Sequence, residues 1–189
     1  MSKEVKAKAV FLDRDGTLNH DDGYVHRIED FRLLDGVEDG LKRMQDLGYR
    51  LIIVSNQSGV GRGYFSEADV RRFNDHLTSI LGGAGVVVDA VYFSPHWPDS
   101  KDSRYRQHPE MRKPEPGMLL LAAKDHNIDL RKSFMIGDSV SDIEAGRKAG
   151  CRTIWIGSGG AGDDQECRPD FQADNLREAA TVIESEGKV

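Results

Sequence analysis

Five short apolar runs constrain this chain more than any other feature. They lie at residues 9–12, 51–54, 86–93, 133–136 and 153–156, rich in Val, Ile and Phe. They are close to continuous rather than alternating, as expected of strands covered on both faces in a parallel sheet. The segments between them carry a helical period instead. Val37, Leu41, Met44 and Leu47 recur at that spacing over 36–47, with Gly48 as a stop. Ser66 opens a second helix over about 66–81, with Asp69 three residues on as in a capping box. Further helices are expected over 117–125, 140–149 and 175–184, and a short edge strand at 171–173. Strands alternating with helices predict an α/β fold, a doubly wound (Rossmann-like) parallel sheet. A length of 189 residues, with no repeat or linker, fits a single domain spanning 1–189.

Polar residues gather just after these runs. The first ends in Asp13-Arg14-Asp15-Gly16-Thr17. Residues two apart on a strand share a face, so Asp13 and Asp15 project together. Gly16 permits the sharp turn that follows. Paired carboxylates repel, and a hard divalent cation such as Mg²⁺ relieves that and also holds phosphate oxygens. The stretch therefore suggests a phosphate-handling site with Asp13 as nucleophile, although an ordinary strand-to-turn junction has the same residue types. The second run ends in Ser55-Asn56-Gln57-Ser58 and the fourth in Gly137-Asp138, with Asp142 four residues beyond; Arg112-Lys113 follows the third. The C-terminal ends of parallel strands meet at one edge, so these groups converge. Together they offer carboxylates for a metal, a hydroxyl and amides for an oxyanion, and a lysine for a phosphate.

This set resembles the haloacid-dehalogenase-like phosphohydrolases in all four of their motifs: Asp13-x-Asp15-Gly16-Thr17, Ser55, Lys113 and Gly137-Asp138-x-x-x-Asp142. Gly23-Tyr24-Val25-His26, Asn56-Gln57-Ser58-Gly59, Arg62-Gly63 and Arg112-Lys113-Pro114-x-Pro116-Gly117-Met118 extend the likeness over nearly the whole chain. With these, it is similar to the D-glycero-D-manno-heptose-1,7-bisphosphate 7-phosphatases. Histidinol-phosphate phosphatases share much of the pattern. The resemblance implies a fold without a large cap domain. It also implies Asp13 as nucleophile, Asp15 as acid and base, Ser55 and Lys113 on the phosphoryl group, and Mg²⁺ held by Asp13, Asp15 (through its main-chain carbonyl) and Asp138. Asp142 would support the metal shell or orient Lys113, unless it is simply a first-turn helix carboxylate. Asp21, Asp22, Gly23, Tyr24, Asn56, Gln57 and Ser58 are candidate substrate contacts. Arg62 and Arg112 are candidates for sugar hydroxyls or a distal phosphate, with a plain surface role open for Arg62. An inactive phosphosugar-binding protein is the alternative from another class.

The remaining expectations are mostly exclusions. A net charge of −6 argues against non-specific nucleic-acid binding. No signal peptide or membrane span is read, and two cysteines without CxxC spacing suit a reducing cytoplasm; a monomer acting on a small phosphorylated sugar is expected. Relatives of this kind carry a zinc loop with Cys-x-His and Cys-x-Cys pairs. Here the pairs read Ser94-Pro95-His96 and Pro109-Glu110-Met111, leaving only His96 and His108, so no structural zinc is expected. The glycine-rich run at 157–162 lacks the order of a dinucleotide loop.

Overall fold

The computed structural model describes residues 6–157 and 168–187. Six strands form one sheet: β1 (Ala9–Leu12), β2 (Arg50–Asn56), β3 (Ala90–Ser94), β4 (Phe134–Gly137), β5 (Arg152–Ile156) and β6 (Phe171–Ala173). Their order is β3-β2-β1-β4-β5-β6 and every neighbouring pair is parallel. The chain winds outward from β1 to one side, then returns to β4 and winds outward to the other. The switch point therefore lies between β1 and β4, where open sheets of this kind bind ligands beyond the strand ends.

Helices α1 (Val37–Asp46), α2 (Ser58–Arg62), α3 (Glu67–Gly83), α4 (Gly117–Asp125), α5 (Val140–Ala149) and α6 (Leu176–Glu186) complete the fold. The four residues of β1 are fully buried and divide between two cores. Val10 and Leu12 join Leu41, Leu77 and Ile183 on one face, from α1, α3 and α6. Ala9 and Phe11 join Met118, Leu119 and Ala145 on the other, from α4 and α5. This double coverage is why the strand sequences are continuously apolar. The capping box at the start of α3 is present, with Ser66 and Asp69 satisfying each other's backbone N–H groups.

Two elements depart from the sequence reading. The third strand begins at Ala90 rather than at residue 86. Val86 is buried, but Val87 is 64% exposed and its N–H donates to the Gln45 side chain at 2.7 Å. Asp89 makes the join to β2 instead, its carboxylate accepting from the Leu51 N–H at 2.9 Å. The second departure is α2, which is not among the helices expected from the sequence. Gly59 and Gly61 lower its helix propensity, yet both are required by packing. A Cβ on Gly59 would lie 2.2 Å from the Phe65 ring, and one on Gly61 would lie 2.5 Å from the Pro95 carbonyl oxygen.

Residues 95–116 contain two short 3-10 turns, Ser103–Arg106 and Pro109–Met111. The segment is tied to itself: Trp97 N–H donates to Tyr105 C=O at 2.8 Å and Arg106 Nη1 to Ser100 C=O at 2.6 Å. Cys167 and residues 158–162 of the glycine-rich run lie outside the described residues. Among the described residues, no helix is long and apolar enough to cross a membrane.

Candidate active site

The site is built on the switch point. Beyond β1, Asp13 N–H still bonds to Ile136 of β4 at 2.9 Å, which keeps the strand course as far as that carboxylate. The chain then turns at Gly16, with φ +79°. A Cβ there would sit 2.0 Å from Asp138 Oδ2, so glycine serves both the turn and the close approach of Asp138. Oxygens of Asp13, Asp138 and Asp142 all fall within 4.8 Å of one another.

One lysine holds this acidic cluster together. Lys113 is 2% exposed, and its Nζ lies 2.8 Å from Asp13 Oδ1, 2.6 Å from Asp142 Oδ1 and 2.8 Å from the Val54 carbonyl. Its backbone is fixed as well. The Asn56 side chain accepts from Lys113 N–H at 3.0 Å and donates to Lys113 C=O at 2.9 Å. The Asn56 side chain thus fixes the Lys113 backbone from both its polar ends, and it also lines the cavity of this site. Asp142 caps its own helix through Ser139 and is fully buried. Asp142 touches Lys113 and also belongs to the oxygen cluster with Asp13 and Asp138.

Such crowding moves the protonation equilibria. Burial, then the charge of Asp142, raises Asp13 to about 7, against the opposing pull of Lys113. Burial and Asp142 likewise raise Asp138 to about 6. Burial alone would lower Lys113, but Asp13 and Asp142 outweigh it and hold the ammonium above its ordinary value. The cluster is therefore short of positive charge, and an oxygen-only donor set suits a hard cation such as Mg²⁺. Asp15 stands outside the cluster. Its carboxylate is held by the side chains of Arg14, Asn19 and Gln57.

A cavity of about 340 Å³ opens over these groups. It brings together Asp13, Asp15, Asp21, Gly23, Tyr24, Ser55, Asn56, Gln57, Ser58, Lys113 and Asp138. It also takes in Ser139 and Ser141, which the sequence reading missed although they lie inside the fourth motif. Three expected residues are not in its lining. Asp22 is exposed and pairs with Arg32. Arg62 lies over the Trp97 ring at 3.3 Å and lines an adjoining cavity of about 420 Å³. Arg112 is partly buried, and burial followed by the nearby Arg62 charge holds it below the ordinary arginine value. Tyr24 sits at the mouth with φ +57°, a conformation rare for a residue with a side chain. His96 is buried with Nδ1 3.1 Å from Gln107 C=O, while exposed His108 pairs with Glu110 at 2.9 Å.

Comparison with known proteins agrees with this geometry. Residues 110–179 match the family model described as HAD-hydrolase-like. The chain is 48% identical over 147 residues to the D-glycero-beta-D-manno-heptose-1,7-bisphosphate 7-phosphatase of Haemophilus ducreyi, covering 77% of this chain and 80% of that one. The chain belongs to the heptose-bisphosphate phosphatase family of HAD-like hydrolases. Its relatives include the D-glycero-alpha-D-manno-heptose-1,7-bisphosphate 7-phosphatase of Burkholderia mallei, 46% identical over 152 residues and 80% of each chain. Family members named for either anomer thus stand at nearly the same distance. Among solved structures, the D,D-heptose 1,7-bisphosphate phosphatase of B. bronchiseptica, complexed with magnesium and phosphate, superposes with a TM-score of 0.80 at 29% identity. It covers 95% of this chain and 99% of that one. The fold expected from the sequence, a parallel Rossmann-like sheet of the HAD class, is the fold of the family.

Proposed function

We propose that the protein is a Mg²⁺-dependent phosphomonoesterase that removes the C7 phosphate of D-glycero-D-manno-heptose 1,7-bisphosphate through an aspartyl-phosphate. The observation that carries this reading is the placement of Lys113 Nζ at 2.8 Å from Asp13, with Asp138 in the same cluster. A nucleophile, a phosphoryl-binding cation and a metal ligand then share one small cavity.

Asp13 attacks phosphorus and forms the acyl phosphate, and the bond to the C7 oxygen breaks. Asp15 donates a proton to that departing oxygen, then takes one from the water that cleaves the intermediate. Ser55 and Lys113 hold the phosphoryl oxygens as negative charge shifts. Asp13, Asp138 and the Asp15 carbonyl would hold Mg²⁺, and the acidic cluster fits it. When bound, the ion offsets repulsion between Asp13 and the dianion. Asn56 and Asp142 keep the lysine in place. The charge of Arg62 bears on the partly buried Arg112, and we assign the two arginines the distal C1 phosphate. Asp21, Gly23, Tyr24, Gln57 and Ser58 are positioned for the sugar. Asp22, tied to Arg32, supports that loop. The reading includes a monomer working in the cytoplasm, which the single free, buried cysteine among the described residues suits.

The test is phosphate release from the heptose bisphosphate after exhaustive chelation. Activity should vanish and return with Mg²⁺, and histidinol phosphate should be a poor substrate. Full turnover in EDTA would overturn the metal assignment, and preference for histidinol phosphate would overturn the substrate.

A further inference from the structure

Arg14 occupies the spacer position between the two motif aspartates, and the mechanism above gives it no task. It is nevertheless 0% exposed, a large side chain fully buried among the described residues. A guanidinium stays charged at any working pH, so burying one is tolerated only where its N–H groups find acceptors. Here they do. Nε donates to Asp15 Oδ1 at 3.0 Å, and Nη2 donates to Asp15 Oδ2 at 2.9 Å and to Val25 C=O at 2.9 Å. Nη1 donates to Asn74 Oδ1 on α3 at 3.0 Å, and the group lies over the Phe73 ring at 4.4 Å.

Seen from Asp15, the two-point fork is half of a full set. Oδ1 also accepts from Asn19 Nδ2 at 3.0 Å, and Oδ2 from Gln57 Nε2 at 2.8 Å. An ionised carboxylate offers about four acceptor sites, so a donor must leave before Asp15 can carry or pass on a proton. Arg14 is badly suited to leave, because its charged donors would be stranded in the core. Gln57 is well suited, since its Nε2 also lies 2.8 Å from Ser55 Oγ and keeps that partner.

We infer that Arg14 is the positioning residue for Asp15: it fixes the carboxylate for proton transfer, and Gln57 is the partner that releases. Through Val25 the same guanidinium ties that placement to the loop whose Asp21, Gly23 and Tyr24 line the cavity. Arg14 gives up no proton in either step. This inference rests on the reading of Asp15 as acid and base.

The test compares leaving groups. A primary sugar alkoxide needs its proton at departure, whereas p-nitrophenolate leaves without one. The ratio kcat/KM reports the first half-reaction for both substrates. Arg14→Lys keeps the charge and removes the fork. It should lower kcat/KM for the heptose bisphosphate by on the order of 10²-fold and for p-nitrophenyl phosphate by less than about tenfold. Asp15→Asn should give the same imbalance, and the double variant should be no worse than Asp15→Asn alone. An equal fall on both substrates, or additive losses in the double variant, would show a merely structural arginine and overturn the inference. If Asp15→Asn itself shows no imbalance, the acid–base reading fails instead. Should Arg14→Lys not fold, Asn74→Ala removes an anchor outside the cavity. It should give a weaker imbalance of the same sign, and equal losses on both substrates would again count against Arg14.

Discussion

Arg112 and Lys113 are neighbours in sequence with opposite circumstances. Lys113 is surrounded by the protein's own acceptors: two carboxylates and a carbonyl within 2.8 Å of its Nζ. Among the described residues Arg112 donates to the His96 carbonyl at 3.5 Å, and it faces the charge of Arg62. The inner cation is already oriented by the protein and exchanges one of these acceptors for a phosphoryl oxygen when substrate binds, whereas the outer arginine is held by fewer acceptors among the described residues. The lesson concerns what each half of the site is for. A pre-oriented lysine costs nothing to organise at the moment of reaction, which suits chemistry. Two like charges held near each other gain most when a dianion settles between them, which suits recognition.

The sharpest way to break this division is at its inner edge. Asp13→Asn is nearly isosteric and should cost on the order of 10⁴-fold or more in kcat, as removal of covalent nucleophiles does. A tenth of the activity remaining would remove Asp13 from the role. At the outer edge, Arg112→Gln should lower kcat/KM for the 1,7-bisphosphate by roughly 10- to 100-fold, the worth of a charged hydrogen bond or two. Heptose 7-phosphate lacks the distal group and should be little affected; equal losses on both would mean that Arg112 serves the inner site. Asn56→Ala tests the support under the lysine. It should reduce kcat by about tenfold with KM nearly unchanged, because the Lys113 backbone loses both contacts. A change confined to KM would return Asn56 to the substrate.

The smallest effect is on stability. The folded-state values of Asp13 and Asp138, about 7 and 6, lie above the ordinary 3.8 of the unfolded chain. Folded, metal-free protein then binds protons more tightly than unfolded chain. These groups favour the fold below about pH 4 and lose that contribution as pH rises through 6 and 7. A cation competes with those protons, so Mg²⁺ should raise Tm by a few degrees more at pH 7.5 than at pH 5. A Tm increment independent of pH would mean that the ion binds elsewhere.

How much of this was readable in advance follows from the range of each interaction. Asp13, Asp15 and Gly16 are legible because an i, i+2 spacing on a strand is a local rule. Asp138 is legible as the polar residue that follows a strand, and Asp142 as an acidic residue in the first turn of the next helix. The strand limits near Val86 were not legible, since an apolar triplet looks alike whether or not it pairs, and only Asp89 reaching Leu51 shows where pairing starts. Helix α2 was hidden by glycines whose reason lies in Phe65 and Pro95. Arg14 was hidden most completely. In sequence it is a spacer between two aspartates, and its purpose depends on Asn74, 60 residues away.

The cross-links within residues 95–107 have a consequence for redox chemistry. The segment beneath Arg112 and Lys113 is closed by backbone carbonyls, a buried imidazole and an arginine, with no thiolate anywhere between residues 94 and 113. Thiol-directed oxidants and electrophiles therefore have no target among residues 94–113, the scaffold that carries Lys113. Cys151, the free cysteine among the described residues, is buried against the opposite end of the sheet's helices with its thiol pushed up to about 12, far from the reactive thiolate.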